Sequence, residues 1–149
     1  MRPIKRIFIH CSATPADMYV DAALIHRWHT DPKPQGRGWS DIGYHFVLPR
    51  DGTIEAGRPV ALIGAHVLNH NRDSIGICLA GGVAADGKTP EANFTAAQMR
   101  GLRLFLIVMK ATYGLTEADI VGHRDAPGVA KACPSFDVAH WLATEEVRP

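Results

Sequence analysis

Residues 4–10 read IKRIFIH, and the fold class turns on this run. It is too short for a helix, is rich in β-branched and aromatic side chains, and gives way to polar turn formers, so it predicts a buried strand inside a sheet. SIGICLAGG, residues 74–82, is a second buried strand, ending in glycines. Between them, VDAALIHRWHTD (residues 20–31) sets Leu24, Ile25 and Trp28 at helical spacing, and the breakers of PKPQGRG follow. YHFVLPRDGTIEAGR (residues 44–58) has strand-like runs on either side of Asp51-Gly52, which predicts a hairpin. Thr95 and Gln98 have the spacing of a capping box ahead of Met99, Leu102, Phe105, Leu106 and Met109, and Gly114 stops that helix. DIVGH (119–123) predicts a short strand, and Asp137 should cap a last helix in VAHWLATEEV (138–147). Strands interleaved with helices, one pair joined by a hairpin, imply a single α/β domain with a central mixed β-sheet flanked by helices.

The 149 residues make one ordinary domain, able to bury roughly 70% of the surface of its unfolded chain and needing no metal or disulfide merely to fold. Sixteen basic and 15 acidic residues leave a formal charge of +1, with no basic stripe to neutralise phosphates, which argues against nucleic acid as a partner. The cysteines Cys11, Cys78 and Cys133 are odd in number and irregularly spaced, which suits a reducing compartment. MRPIKRIFIHCSAT has a basic start but too few apolar residues for a signal peptide, and no apolar run reaches spanning length, so no membrane insertion and a cytoplasmic location are expected.

Eight histidines must be sorted. His26 and His29 lie three apart on one helix, a spacing that can grip a metal, but no acidic or cysteine neighbour completes a site, so a half-exposed pair is expected. His45 and His140 are flanked by core-like residues. His10 and His123 differ, because each closes a strand, where a scaffold presents reacting groups to a cleft. Cys133 could be a nucleophile, a metal ligand or a small buried hydrophobe. Pro134 favours extended backbone at Cys133, so Lys131 and Cys133 should share a face, and a cation beside the thiol favours thiolate. No C-x-x-C pair exists, so any metal must recruit ligands from distant segments.

FIHCSAT, GWSDIGYHFVLPRDGTIEAGR, GAHVLNHNRDSIGICLAGG, FTAAQMRGL and KACPSFD together resemble the zinc-dependent N-acetylmuramoyl-L-alanine amidases of type 2, which share a fold with peptidoglycan recognition proteins. Within that family the chain is most similar to the small phage lysozyme-type amidases, from about Ile7 to Trp141. The resemblance implies one Zn2+ per chain, bound by His10, His123 and Cys133, with Tyr44 and Lys131 as catalytic groups and His66 lining the substrate cleft. Three protein ligands leave zinc's fourth position open, the arrangement of a catalytic site. Lys131 would then stabilise the negative oxygen of the tetrahedral intermediate, and Tyr44, which alternates with His45 along a strand, would handle a proton. One departure stands out. The cell-wall recycling branch has SIGIEL, whose glutamate is the general base, where this chain has SIGICL and Cys78.

The implied function is hydrolysis of the amide between N-acetylmuramic acid and L-alanine in peptidoglycan, by a monomeric phage endolysin that reaches the wall after the membrane is permeabilised. Three alternatives stay open. One is a non-catalytic peptidoglycan-binding module, for which a missing ligand is the expected signature. Another is an added partner role, since the phage lysozymes it resembles can bind and restrain the phage RNA polymerase. The third is a cysteine hydrolase using Cys133 and His123.

Overall fold

Ile7, Ile9, Ile75 and Ile77 have no solvent exposure, and the strands that carry them are neighbours. The computed structural model describes residues 1–149. Its elements are β1 (Arg6–Cys11), α1 (Ala22–Thr30), β2 (Phe46–Leu48), β3 (Glu55–Ala56), β4 (Ser74–Leu79), α2 (Ala96–Tyr113), β5 (Ile120–Gly122) and α3 (Val138–Thr144), with single 3-10 turns at Glu117–Asp119 and His123–Asp125. The sheet order is β3-β2-β4-β1-β5. β1 pairs in parallel with β4 and β5, β2 pairs in parallel with β4, and only β3 runs antiparallel. The mixed sheet and the interior place of IKRIFIH are as the sequence implies.

Strand alternation divides the labour of the two sheet faces. Ile7, Ile9, Ile75, Ile77, Leu79 and Leu48 face α2 and α3, where they join Leu102, Leu106, Phe136 and Trp141 in the main core. The other face carries His10, Gly76, Cys78 and Val47, of which Cys78 and Val47 pack with Ile25 of α1 and Ile42. Polar chemistry can therefore sit on one face without opening the core on the other.

Side-chain caps set the helix limits. Asp21 accepts from the Leu24 N–H at 2.8 Å, and Asp137 accepts from the His140 N–H at 2.9 Å. Thr95 and Gln98 form the full capping box, and Gly114 ends α2 with φ 67°. Gln98 is fully buried and also donates to the carbonyls of Leu48 and Ala80 at 3.0 and 2.9 Å, so it ties α2 to β2 and β4.

Three expectations change in detail. α3 stops at Thr144, because Glu145 takes a left-handed conformation with φ 64°. The hairpin is real, but β3 has only two residues, since the Gly52 N–H bonds to the Pro49 carbonyl and Asp51 to Thr53, keeping residues 49–53 in turns. His29 is buried instead of half-exposed, as its Nδ1 accepts the Gly43 N–H at 3.0 Å.

Candidate metal centre and catalytic cleft

β1 and β5 run parallel and adjacent, with Ile9 beside Gly122, so their carboxyl ends deliver His10 and His123 to one place. The two rings stand 4.6 Å apart. Beyond His123 the chain turns, loops outward and returns, and the Arg124 N–H donates to the Cys133 carbonyl at 2.7 Å. That bond closes the loop and sets Cys133 beside the histidines. One ligand atom from each of His10, His123 and Cys133 lies within 4.8 Å of the others, and His10 Nδ1 is 3.9 Å from Cys133 Sγ. Two donors on a tetrahedral zinc, at ~2.0 Å for nitrogen and ~2.3 Å for sulfur, stand roughly 3.5 Å apart. Two imidazoles and a thiol on this spacing are a donor set that fits such an ion.

His10 is fully buried, and its pKa lies well below the ordinary histidine value, first through burial and then through His66, His123 and Lys131. His123 is lowered by burial and Lys131. Both rings are therefore neutral at pH 7, the state a metal ligand needs. Cys133 has a neighbour in Cys11 that the sequence did not point to. Its thiol is pushed well up, first by hydrogen bonding with the Cys11 side chain and then by burial, while the Cys11 N–H, 3.2 Å from Sγ, favours the thiolate. Lys131 acts on the two histidines. A bound cation deprotonates a thiol outright, so Cys133 can serve as a ligand.

Tyr44 and Lys131 line the same cleft, of about 280 Å³, together with His29, Trp39, His66 and His123. The Tyr44 ring lies 5.0 Å from that of His10. Burial first, then the cysteines around it, raise its pKa well above the ordinary phenol value, so the hydroxyl keeps its proton and can donate it in a hydrogen bond. His45 points away from the cleft, where its Nδ1 accepts the Gly76 N–H at 3.0 Å and its pKa falls to about 4, chiefly through burial. Tyr44 and His45 lie just ahead of β2 and not on it, and only Tyr44 lines the cleft. His66 is buried, with Nδ1 3.0 Å from His10 Nε2, at the back of the cleft. His26 is exposed beside Asp41, and His140 pairs with Glu146. Neither joins the cluster.

Sequence reasoning missed Cys11, whose backbone N–H meets the Cys133 sulfur. Its place directly after His10 in FIHC was the available signal. A larger groove of about 470 Å³ runs past Met99, Leu104 and Trp141, but no histidine or cysteine lines it, so the chemistry belongs to the smaller cleft.

The family profile described as N-acetylmuramoyl-L-alanine amidase matches residues 1–136. The endolysin of Klebsiella phage KP32 is 47% identical over 143 residues, covering 96% of this chain and 88% of the relative. That of Escherichia phage T7 is 44% identical over 143 residues, covering 95% and 87%. Among solved structures, the endolysin amidase LysCS from Clostridium intestinale superposes with a TM-score of 0.75 at 26% identity, over 95% of this chain and 85% of that one. Drosophila PGRP-LB gives 0.70 at 25% identity, over 97% and 82%. With the cleft, its donor cluster and these likenesses in agreement, the chain belongs to the N-acetylmuramoyl-L-alanine amidase family and is an amide hydrolase of that activity.

Proposed function

We propose that the protein is the endolysin of a phage, cleaving the bond between N-acetylmuramic acid and L-alanine with one zinc ion held by His10, His123 and Cys133. The observation that carries this reading is the convergence of those three donor atoms within 4.8 Å at the floor of the cleft. Similarity to the phage endolysins over 95–96% of the chain supports the setting. Zinc held there supplies Lewis acidity, making water a nucleophile near neutral pH and polarising the scissile carbonyl. Two neutral imidazoles and one thiolate from three separate segments would fix it on the protein side and leave the cleft side to substrate. Lys131, exposed on the cleft wall, presents its ammonium to the oxygen that becomes negative as the carbonyl turns tetrahedral. Tyr44 keeps its proton and offers it as a hydrogen bond to the reacting oxygen, then to the departing amine. In this setting the enzyme is made in the host cytoplasm as a monomer and meets peptidoglycan once the membrane is breached.

Metal analysis of the purified protein together with mass spectrometry of products from wall fragments tests the proposal. One zinc per chain and free peptides beginning with L-alanine are expected, with activity lost to a chelator and regained with zinc. Full activity in metal-free protein, with a thiol reagent on Cys133 abolishing it, would favour a cysteine hydrolase instead.

A further inference from the structure

His66 sits in a slot shaped for its ring. On one side is Gly76 of β4, where a Cβ would come within 2.5 Å of His66 Cγ and 2.8 Å of its Nδ1. Gly64 is a second close neighbour, where a Cβ would lie 2.7 Å from both His66 Cδ2 and His45 Cε1. Any other residue at these positions would push the imidazole aside. The backbone is held as well, because the Asn71 side-chain oxygen accepts the N–H groups of both His66 and Val67 at 2.9 Å. So much local construction fixes the direction of one ring.

The hydrogen bonds along that ring have a single consistent direction. Ser74 Oγ lies 2.7 Å from the His70 carbonyl, which can only accept, so the hydroxyl proton is committed there. Facing His66 Nε2 at 3.4 Å, Ser74 Oγ can then only accept, and His66 carries its hydrogen on Nε2. A buried neutral imidazole has one hydrogen, so His66 Nδ1 is an acceptor, and His10 Nε2, 3.0 Å away, must donate to it. His10 is neutral too, and its Nδ1 is left as a bare lone pair on the side of Cys133 Sγ, 3.9 Å away.

We propose that His66 is a positioning residue that selects the His10 tautomer able to bind metal through Nδ1, with Ser74 and the His70 carbonyl setting the direction of the relay. The proposal rests on the zinc reading above and adds to it a duty for a residue that touches no metal. Without the acceptor, His10 is free to place its hydrogen on Nδ1, where it blocks ligation. Outer partners of this kind typically change metal affinity 10–100-fold.

Long-range 1H–15N spectra of the unaltered protein, zinc-free and zinc-loaded, test the tautomer without any substitution. A hydrogen on His10 Nε2 in both states is expected, and a hydrogen on Nδ1 in the zinc-free protein would overturn the proposal. Zinc titration against a competing chelator tests the relay. His66→Ala should weaken zinc binding by roughly 10–100-fold, and His66→Asn, whose amide oxygen can replace the Nδ1 acceptor, should recover most of that loss. Should His66→Ala not fold, Ser74→Ala keeps the ring but removes its far partner, and should populate the other His10 tautomer. A folded His66→Ala protein with unchanged zinc affinity and a raised KM would make His66 a substrate-lining residue and end the relay alone. If the unaltered protein holds no zinc, the zinc reading fails and the relay falls with it.

Discussion

His10 and Cys78 are Cα partners on adjacent parallel strands, and their side chains stand on the same face of the sheet. Position 78 is thus where the recycling branch of the family, unlike this chain, has its glutamate. Here it holds a thiol with no solvent exposure, whose pKa is pushed well up by burial and then by Cys11. Such a group neither accepts a proton readily nor carries charge near pH 7.

On the proposed reading Tyr44 serves as a hydrogen-bond donor, since its hydroxyl keeps its proton. Removing only its hydroxyl, in Tyr44→Phe, should lower kcat by about 10²-fold or more at unchanged zinc content. Cys78→Ala should keep most activity and lose a little stability, as a small buried side chain does. Steady-state kinetics with metal analysis checks both. A zinc-loaded but inactive Cys78→Ala beside a near-normal Tyr44→Phe would exchange the roles.

Lys131 should act on the transition state more than on bound substrate. Lys131→Ala is expected to reduce kcat by on the order of 10² while zinc stays bound. A normal kcat with a raised KM would mean that Lys131 binds substrate instead.

Acid should destabilise the fold through buried neutral histidines. His45 and His29 are each held down to about 4, first by burial, from an ordinary value of 6.5. Below pH 6.5 the unfolded chain takes up protons that the native rings refuse, so stability is full above that value and falls as pH drops toward 4. Urea midpoints measured between pH 7 and pH 4.5 should decline across this window. A midpoint flat through it would contradict the burial of these rings.

Gln98 should be worth more than its place on a helix suggests. Gln98→Ala removes the reciprocal half of the α2 cap and both bonds to the Leu48 and Ala80 carbonyls, which should cost about 2–3 kcal/mol. Denaturant unfolding should show a lower midpoint with an unchanged slope.

The setting is testable in cells. Bacteria expressing the protein should survive until a permeabilising agent is added late, and then lyse. Lysis on induction alone would mean that the chain reaches the wall unaided.

The architecture was legible because its signals are local. The β-branched run at residues 4–10, the Thr95–Gln98 pair and Asp137 each act within a few residues, and each forms the strand or cap expected. The donor cluster was legible in part. His10 and His123 stood out as strand-end histidines, but only the family motifs joined them to Cys133, since the loop closure by Arg124 and the Cys133 carbonyl is a tertiary event. Burial of His29, the Cys11 N–H on the sulfur and the Gly64–Gly76 slot around His66 depend on which segments meet, and no periodicity carries that. Sequence showed a lysine near the Cys133 thiol, while only the fold shows Cys11 beside it.

Strand order also sets a timetable. β1 leaves the ribosome well before its two neighbours, β4 and β5, with residues 74–79 and 120–122. At roughly 5–20 residues per second, β1 waits on the order of 6–20 s before its second edge can be covered. Throughout that interval an apolar strand has an open side. The donor cluster, with its last member at Cys133, cannot close until that residue has been made.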